Sequence, residues 1–158
     1  MTEDDAVRRR RTGPLDDLRG LRDALRDEEQ RVSYWRQLVQ GRLDLVREAL
    51  TGGHPNAEEL ARLAAERERG GGPRRSPAAT PLQLDGLVSP LVGLEGLWAT
   101  PIDWEDRDGL ARVERSLVEA EVKLSAYRRA LHERIDDCTA RLVDHYQRDP
   151  AHVSELVE

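Results

Sequence analysis

Two long lines of apolar residues, each repeating at steps of three and four, constrain this chain more than any other feature. The first runs Leu18, Leu21, Leu25, Val32, Trp35, Val39 and Val46, with breaks at Glu28 and Arg42. The second runs Leu110, Val113, Leu117, Leu124, Tyr127, Leu131, Ile135, Cys138 and Leu142. Side chains at those steps share one face of an α-helix, so each line is a seam that needs burial against another. Two such seams in one chain predict an all-α fold, an antiparallel two-helix coiled-coil hairpin with a short additional helix and an irregular connector. The composition fits, with 38% hydrophobic residues, 35% charged and no Phe. Such a chain has little aromatic bulk for a broad core but suits long helices packed along a seam.

Local signals set the expected boundaries. Residues 1–12, acidic and then carrying Arg8 to Arg11, read as a mobile tail, and 13–148 as one helical hairpin domain. The first long helix is expected over about 13–51. Thr12 or Gly13 caps it, Pro14 suits its first turn, Asp16 and Asp17 favour the positive end of its dipole, and Gly52–Gly53 before Pro55 stops it. Asn56 with Glu59 resembles a capping box for a short helix over about 56–69, with Leu60 and Leu63 as its apolar face. The Gly- and Pro-rich stretch 70–81 is a linker. Residues 82–103 are apolar but broken by Gly and Pro, an irregular connector expected to pack onto a hairpin end; left exposed, it would be a partner site. Asp103 with Asp106 opens the second long helix, over about 104–148, with Pro150 beyond it and a tail at 149–158.

Charge and cysteine usage exclude several function classes. The net charge is −6, which argues against a non-specific DNA or membrane binder. The single cysteine, Cys138, rules out an intrachain disulfide and suits a reducing cytoplasm. The N-terminus has no apolar signal segment, and no run approaches the ~18 apolar residues of a membrane span. A cytoplasmic protein is expected. Cys138, His145 and His152 are spaced seven apart, too far along a helix for one ion, so no metal is expected. No nucleophile–base pair or phosphate-cradling Gly-rich loop is visible, so no enzymatic activity is expected.

The two helices also repeat each other in their polar residues, at an offset of 92 (Glu29 to Glu121). The first carries Glu29, Ser33, Arg36, Gln40 and Asp44, the second Glu121, Ser125, Arg128, His132 and Asp136. Both read E-x3-S-x2-R-x3-(Q/H)-x3-D. At 100° per residue the five positions fall within ~80° of one another over ~22 Å, a stripe beside the seam. Interhelical salt bridges at the flanks of a coiled coil are the plain reading. The doubled pattern, with a hydroxyl and an amide or imidazole at fixed places, points instead to a binding surface. In an antiparallel hairpin both stripes lie on one face. Arg reads the O6/N7 edge of guanine, and Asp or Glu accepts from guanine N1–H and N2–H. Carboxylates repel phosphate unless Arg meets it. The matching ligand is two-fold symmetric, guanine-rich and modestly charged.

The doubled pattern, at 29–44 and 121–136, resembles the RsiG family of cyclic-di-GMP-binding anti-sigma factors of actinobacteria. The resemblance implies that the coiled coil binds cyclic-di-GMP as a regulatory ligand, as an intercalated dimer across both motifs. It also implies that the ligand-bound protein sequesters a sigma factor of the flagellar and sporulation type, without enzymatic activity. His132 departs from the pattern, which has Gln there. By this carry-over Arg36 and Arg128 hold guanine. Asp44, Asp136, Glu29 and Glu121 accept from its donors or orient the arginines, and Ser33, Ser125, Gln40 and His132 contact phosphate, ribose or base. Two motifs in one chain let a monomer build the whole site. The ligand is expected to cancel carboxylate repulsion and lock the two helices in the register that displays the sigma-binding face. The alternatives are a cyclic-di-GMP receptor or adaptor with another protein partner, and a ligand-free structural coiled coil.

The first helix has a further apolar line, Tyr34, Leu38 and Leu45, roughly opposite the stripe. Its equivalents on the second helix, Ala126, Ala130 and Asp137, offer no such face. Either the 56–69 helix or the 82–104 segment covers this line, or the sigma factor docks on it.

Overall fold

The computed structural model describes residues 14–53 and 88–148, together with 58, 61 and 65. The expected tails at 1–12 and 149–158, the linker and all but three positions of the short helix lie outside the described residues. Three helices stand among the described residues: α1 over Pro14–Leu50, α2 over Leu94–Ala99 and α3 over Arg107–Arg148. The two long ones pack on each other as a helical hairpin, and no strand occurs among the described residues. No described helix is long and apolar enough to cross a membrane.

The helix ends follow from local chemistry. Asp16 and Asp17 occupy the first turn of α1 and Arg47 its last, each complementing the helix dipole. Beyond Leu50 the chain closes in a Schellman turn. Gly53 N–H donates to the Glu48 carbonyl at 2.9 Å and Gly52 N–H to the Ala49 carbonyl at 3.2 Å. Gly52 adopts φ 90°, the left-handed conformation that this motif demands at its first residue past the cap. Helix α3 starts at Arg107, later than the expected 104. Asp103 does not cap it: its carboxylate accepts the N–H of Glu105 at 3.0 Å in a local turn, and the Asp106 carbonyl takes the first helical bond, from Leu110 at 2.8 Å.

The described chain divides into two compact units. The larger, Glu29–Arg129, holds the second part of α1, all of α2 and the first part of α3. There the long helices run antiparallel, with Glu29 opposite Arg128, Arg47 opposite Glu114, and Arg107 donating to the Leu50 carbonyl. Its core is Val32, Val39, Leu43 and Val46 against Leu110, Leu117, Leu124 and Tyr127, all buried. The smaller unit pairs residues 14–28 with 130–148 and buries Leu15, Leu25, Leu131, Cys138 and Leu142. Tyr146 there accepts from Arg19, whose guanidinium also lies over its ring.

The burial pattern sharpens the seams. Positions exactly one heptad apart would be too strict a rule for a straight helix, since a 3.6-residue turn drifts against a seven-residue repeat. Here the step-seven lines Leu25, Val32, Val39, Val46 and Leu110, Leu117, Leu124, Leu131, Cys138 are all buried. The intervening line on α1 is not uniform: Leu21, expected in the seam, is 41% exposed, and Trp35 is half-buried. Glu28, a break in the apolar pattern, is nevertheless buried within the fold and has its partner.

The connector is not irregular throughout. Its described part turns at Gly93, whose φ is 112°, and forms α2. It packs not at the hairpin end but along the side of α1. Trp98 meets Trp35 edge-to-face with ring centroids 6.1 Å apart. The Arg42 guanidinium sits 4.8 Å from the Trp98 ring centroid. It donates to the carbonyls of Trp98 at 3.0 Å and Thr100 at 2.8 Å, at the negative end of α2. Leu94 and Trp98 are buried, as are Leu38 and Leu45, while Tyr34 is half-buried. The apolar line on α1 is therefore largely withdrawn from solvent within this chain, and Arg42, which lies between its two leucines in sequence, reaches to the connector.

Candidate ligand site

In the larger unit, α1 and α3 present most of the repeated polar stripe side by side. Its residues form two bonded clusters. In the first, the Ser33 hydroxyl donates to Glu29 Oε1 at 2.7 Å, and Arg128 Nε donates to the same oxygen from the other helix at 2.9 Å. In the second, the Ser125 hydroxyl donates to Glu121 Oε1 at 2.9 Å, and Arg36 Nε donates to it from the other helix at 3.2 Å. Arg36 Nε also donates to Ser125 Oγ at 2.9 Å, and Gln40 Nε2 to Glu121 Oε1 at 3.4 Å.

The repeat seen in the sequence thus reappears as structure. The offset that carries Glu29 onto Glu121 also carries the Arg36–Glu121 pair onto Arg128–Glu29, and Ser33–Glu29 onto Ser125–Glu121. This is what an approximate two-fold axis between antiparallel helices produces. The i,i+4 spacing of Glu and Ser puts hydroxyl and carboxylate on one helix face, and the three-residue step to Arg turns the guanidinium toward the facing helix.

Only Nε of each arginine is engaged among the described residues. Among the described residues the Nη1/Nη2 edge of Arg36 and of Arg128 makes no such bond. The carboxylates lie deeper than the arginines that they hold. Side-chain exposure is 18% for Glu29 and 25% for Glu121, against 39% for Arg128 and 30% for Arg36. Two half-buried guanidiniums, oriented from beneath and offering a planar pair of donors each, can bind a planar two-acceptor edge bidentately.

The remaining motif residues sit differently. Asp44 is exposed on α1 in the same unit. His132 and Asp136 follow Arg128 on α3, belong to the smaller unit, and are both exposed. The structure therefore joins Glu29, Ser33, Arg36, Gln40, Glu121, Ser125 and Arg128 in hydrogen-bonded clusters and leaves Asp44 outside them.

Two expectations change. Interhelical salt bridges, the plain reading of the stripe, are present. Among the described residues they nonetheless use only Nε of each guanidinium. Glu29 and Glu121 also each meet an arginine of the facing helix. An opposite charge at that distance offsets the carboxylate charge of both residues. The pairing of the helices is set by the apolar seam and by these reciprocal bonds. Arg42 is a residue whose contact the sequence conceals. The spacing marks it only as a break in the seam, and nothing local announces that it clamps residues 98–100.

A family model described as RsiG-like matches residues 4–79, a little under half of the chain. The match includes the first motif, and the second lies beyond it. No curated protein and no solved structure matches the chain.

Proposed function

Over residues 4–79 the chain belongs to the RsiG-like family, and from that premise we propose that it is an anti-sigma factor controlled by cyclic-di-GMP. The family suggests a regulator of the anti-sigma-factor type. The ligand, the residues that hold it and the sigma partner are our reading. The observation that supports it is the reciprocal arrangement of Arg36 and Arg128, each held through Nε by the other helix with its Nη edge unengaged among the described residues.

In this reading each Nη1/Nη2 edge donates to the O6/N7 edge of one guanine, the commonest specific arginine–base contact. Asp44 and Asp136 accept from guanine N1–H and N2–H. Gln40, His132 and the two serines complete the contacts to phosphate, ribose or base, with Glu29 and Glu121 behind the arginines. A two-fold ligand matches a two-fold pair of arginines, and an intercalated cyclic-di-GMP dimer would reach both motifs. One chain then holds the whole site.

The partner is a sigma factor of the flagellar and sporulation type. Because the helices are already paired, the coupling is carried by the surface that the bound ligand completes on the polar face. Linkage then requires that sigma factor tighten cyclic-di-GMP binding by the same factor as cyclic-di-GMP tightens sigma binding. Calorimetry of the chain with cyclic-di-GMP, with and without the sigma factor, tests both statements. Arg36→Ala and Arg128→Ala are each expected to abolish ligand binding while far-UV helicity persists. Unchanged affinity in either variant would sink the site. Equal cyclic-di-GMP affinity with and without sigma factor would sink the coupling.

A further inference from the structure

We infer that the outer flank of α3, formed by Arg115, Val118, Val122 and Arg129, is the docking surface for the sigma factor, and that it receives a helix face whose apolar side chains are bracketed by carboxylates. This rests on the anti-sigma reading above and names the surface and the chemistry of the partner that it takes.

At 100° per residue these four positions of α3 lie within about 60° of one another, over roughly 21 Å. Val118 falls about 20° and Val122 about 60° beyond Ser125, on the side away from the seam, so the flank adjoins the polar stripe. Among the described residues, Val118 and Val122 are the large hydrophobic side chains left exposed on the long helices of the larger unit, at 36% and 59%. Val is a poorer helix former than Ala, Glu or Arg, so neither helix propensity nor seam burial accounts for the pair. Their i,i+4 spacing makes a ridge of the kind that seats in the groove of a second helix. Arg115 and Arg129 are exposed, and neither makes a hydrogen bond or ion pair among the described residues. Lys123, by contrast, is held by Glu119 at 2.6 Å. The flank therefore offers an apolar pair with an unengaged guanidinium toward each end.

Two arguments choose this side and this occupant. A two-fold pair of motifs treats α1 and α3 alike, whereas a single partner chain must bind one way round, so another feature has to break the symmetry. The offset that carries Glu121 onto Glu29 carries Val118 onto Arg26 and Val122 onto Gln30, which makes the corresponding flank of α1 polar. The further apolar line of α1 is not open either, since Leu38 and Leu45 are buried within the chain. The second argument is coupling. A partner whose affinity depends on a ligand needs contacts that differ between the bound and free forms, and a surface beside Glu121 and Ser125 supplies them. A second copy of this chain fits less well. Laid on this flank in either direction, it would bring arginine against arginine. Carboxylates beside an apolar ridge answer both the charge and the hydrophobic surface.

Calorimetry of the full chain with sigma factor, in saturating cyclic-di-GMP, tests this. Val118→Asn with Val122→Asn changes exposed positions only, so far-UV helicity and the affinity of the chain alone for cyclic-di-GMP should stay native. Sigma affinity should fall by roughly 100-fold, about tenfold per buried valine. Arg115→Gln with Arg129→Gln should weaken sigma binding less and flatten its salt dependence. Gln30→Glu, at the equivalent place on α1, should change neither binding event. Native sigma affinity in the valine variant overturns the assignment and leaves the anti-sigma reading standing. Loss of sigma binding in Gln30→Glu overturns it too, by placing the partner on the other flank. Self-association of the native chain in sedimentation, abolished in the valine variant, would make the occupant a second copy and the assignment wrong. If the native chain with cyclic-di-GMP binds no sigma factor, the anti-sigma reading fails and this assignment falls with it.

Discussion

Replacing Trp98 with alanine should free the connector from α1 while leaving both long helices intact. Trp98 is buried, stands edge-on to Trp35 and lies under the Arg42 guanidinium. Truncating a buried Trp costs about 3–5 kcal/mol. The cation–π contact, about 0.5–1 kcal/mol, is lost with the ring. Against this stand the burial of Leu94, about 2 kcal/mol, and the two bonds from Arg42, about 1.5 kcal/mol each at the low end for a charged donor. Ordering Leu94–Thr100 costs roughly 1–2 kcal/mol per residue, so these remaining anchors cannot hold the segment alone. The variant should therefore undock α2 from Trp35 and Arg42. Its effect on overall stability should saturate at the free energy of docking. Hydrogen exchange read by mass spectrometry would show near-complete loss of protection over 94–100 and unchanged protection over α3. Native-like protection over 94–100 would refute the anchoring argument. Uniform loss across α3 would refute it differently, by making the connector part of the hairpin's cooperative core.

Two further outcomes are expected. Leu124→Ala, at a fully buried seam position, should destabilise the chain by about 2–5 kcal/mol in urea unfolding, and a loss under 1 kcal/mol would mean that the seam collapses around the cavity. His132→Gln restores the amide of the repeated pattern and should leave cyclic-di-GMP affinity in calorimetry within a factor of about ten, one ordinary hydrogen bond; abolished binding would make the imidazole itself essential.

Much of the fold was legible because the information is local and periodic. The apolar steps from Leu25 to Val46 and from Leu110 to Leu142 announce two long helices, and Gly52–Gly53 announces the end of the first. Boundaries blurred where two polar residues compete for one role: Asp103 and Asp106 both suit a cap, and only the turn that occupies Asp103 decides between them. Leu21 was indistinguishable from its seam neighbours by spacing, yet it stays exposed, since spacing sets which face a residue shares but not how wide the buried strip is.

The sequence by itself determined the repeated set of polar residues, because four of five types recurring at the same spacing in two helices, with Gln40 matched by His132, need no tertiary knowledge to be read. It could not say how those residues pair. Glu29 and Ser33 are four apart on one helix and so must meet, but Arg36 and Glu121 are brought together by the antiparallel packing of helices far apart along the chain. Only the tertiary structure decided that each glutamate serves the arginine opposite, and that Arg42 serves a connector more than fifty residues away. The physical reason is the same in both cases. Helical periodicity fixes neighbours within a turn or two, whereas the register between helices emerges from the sum of seam burial and cross-helix bonds, which no single stretch of sequence contains.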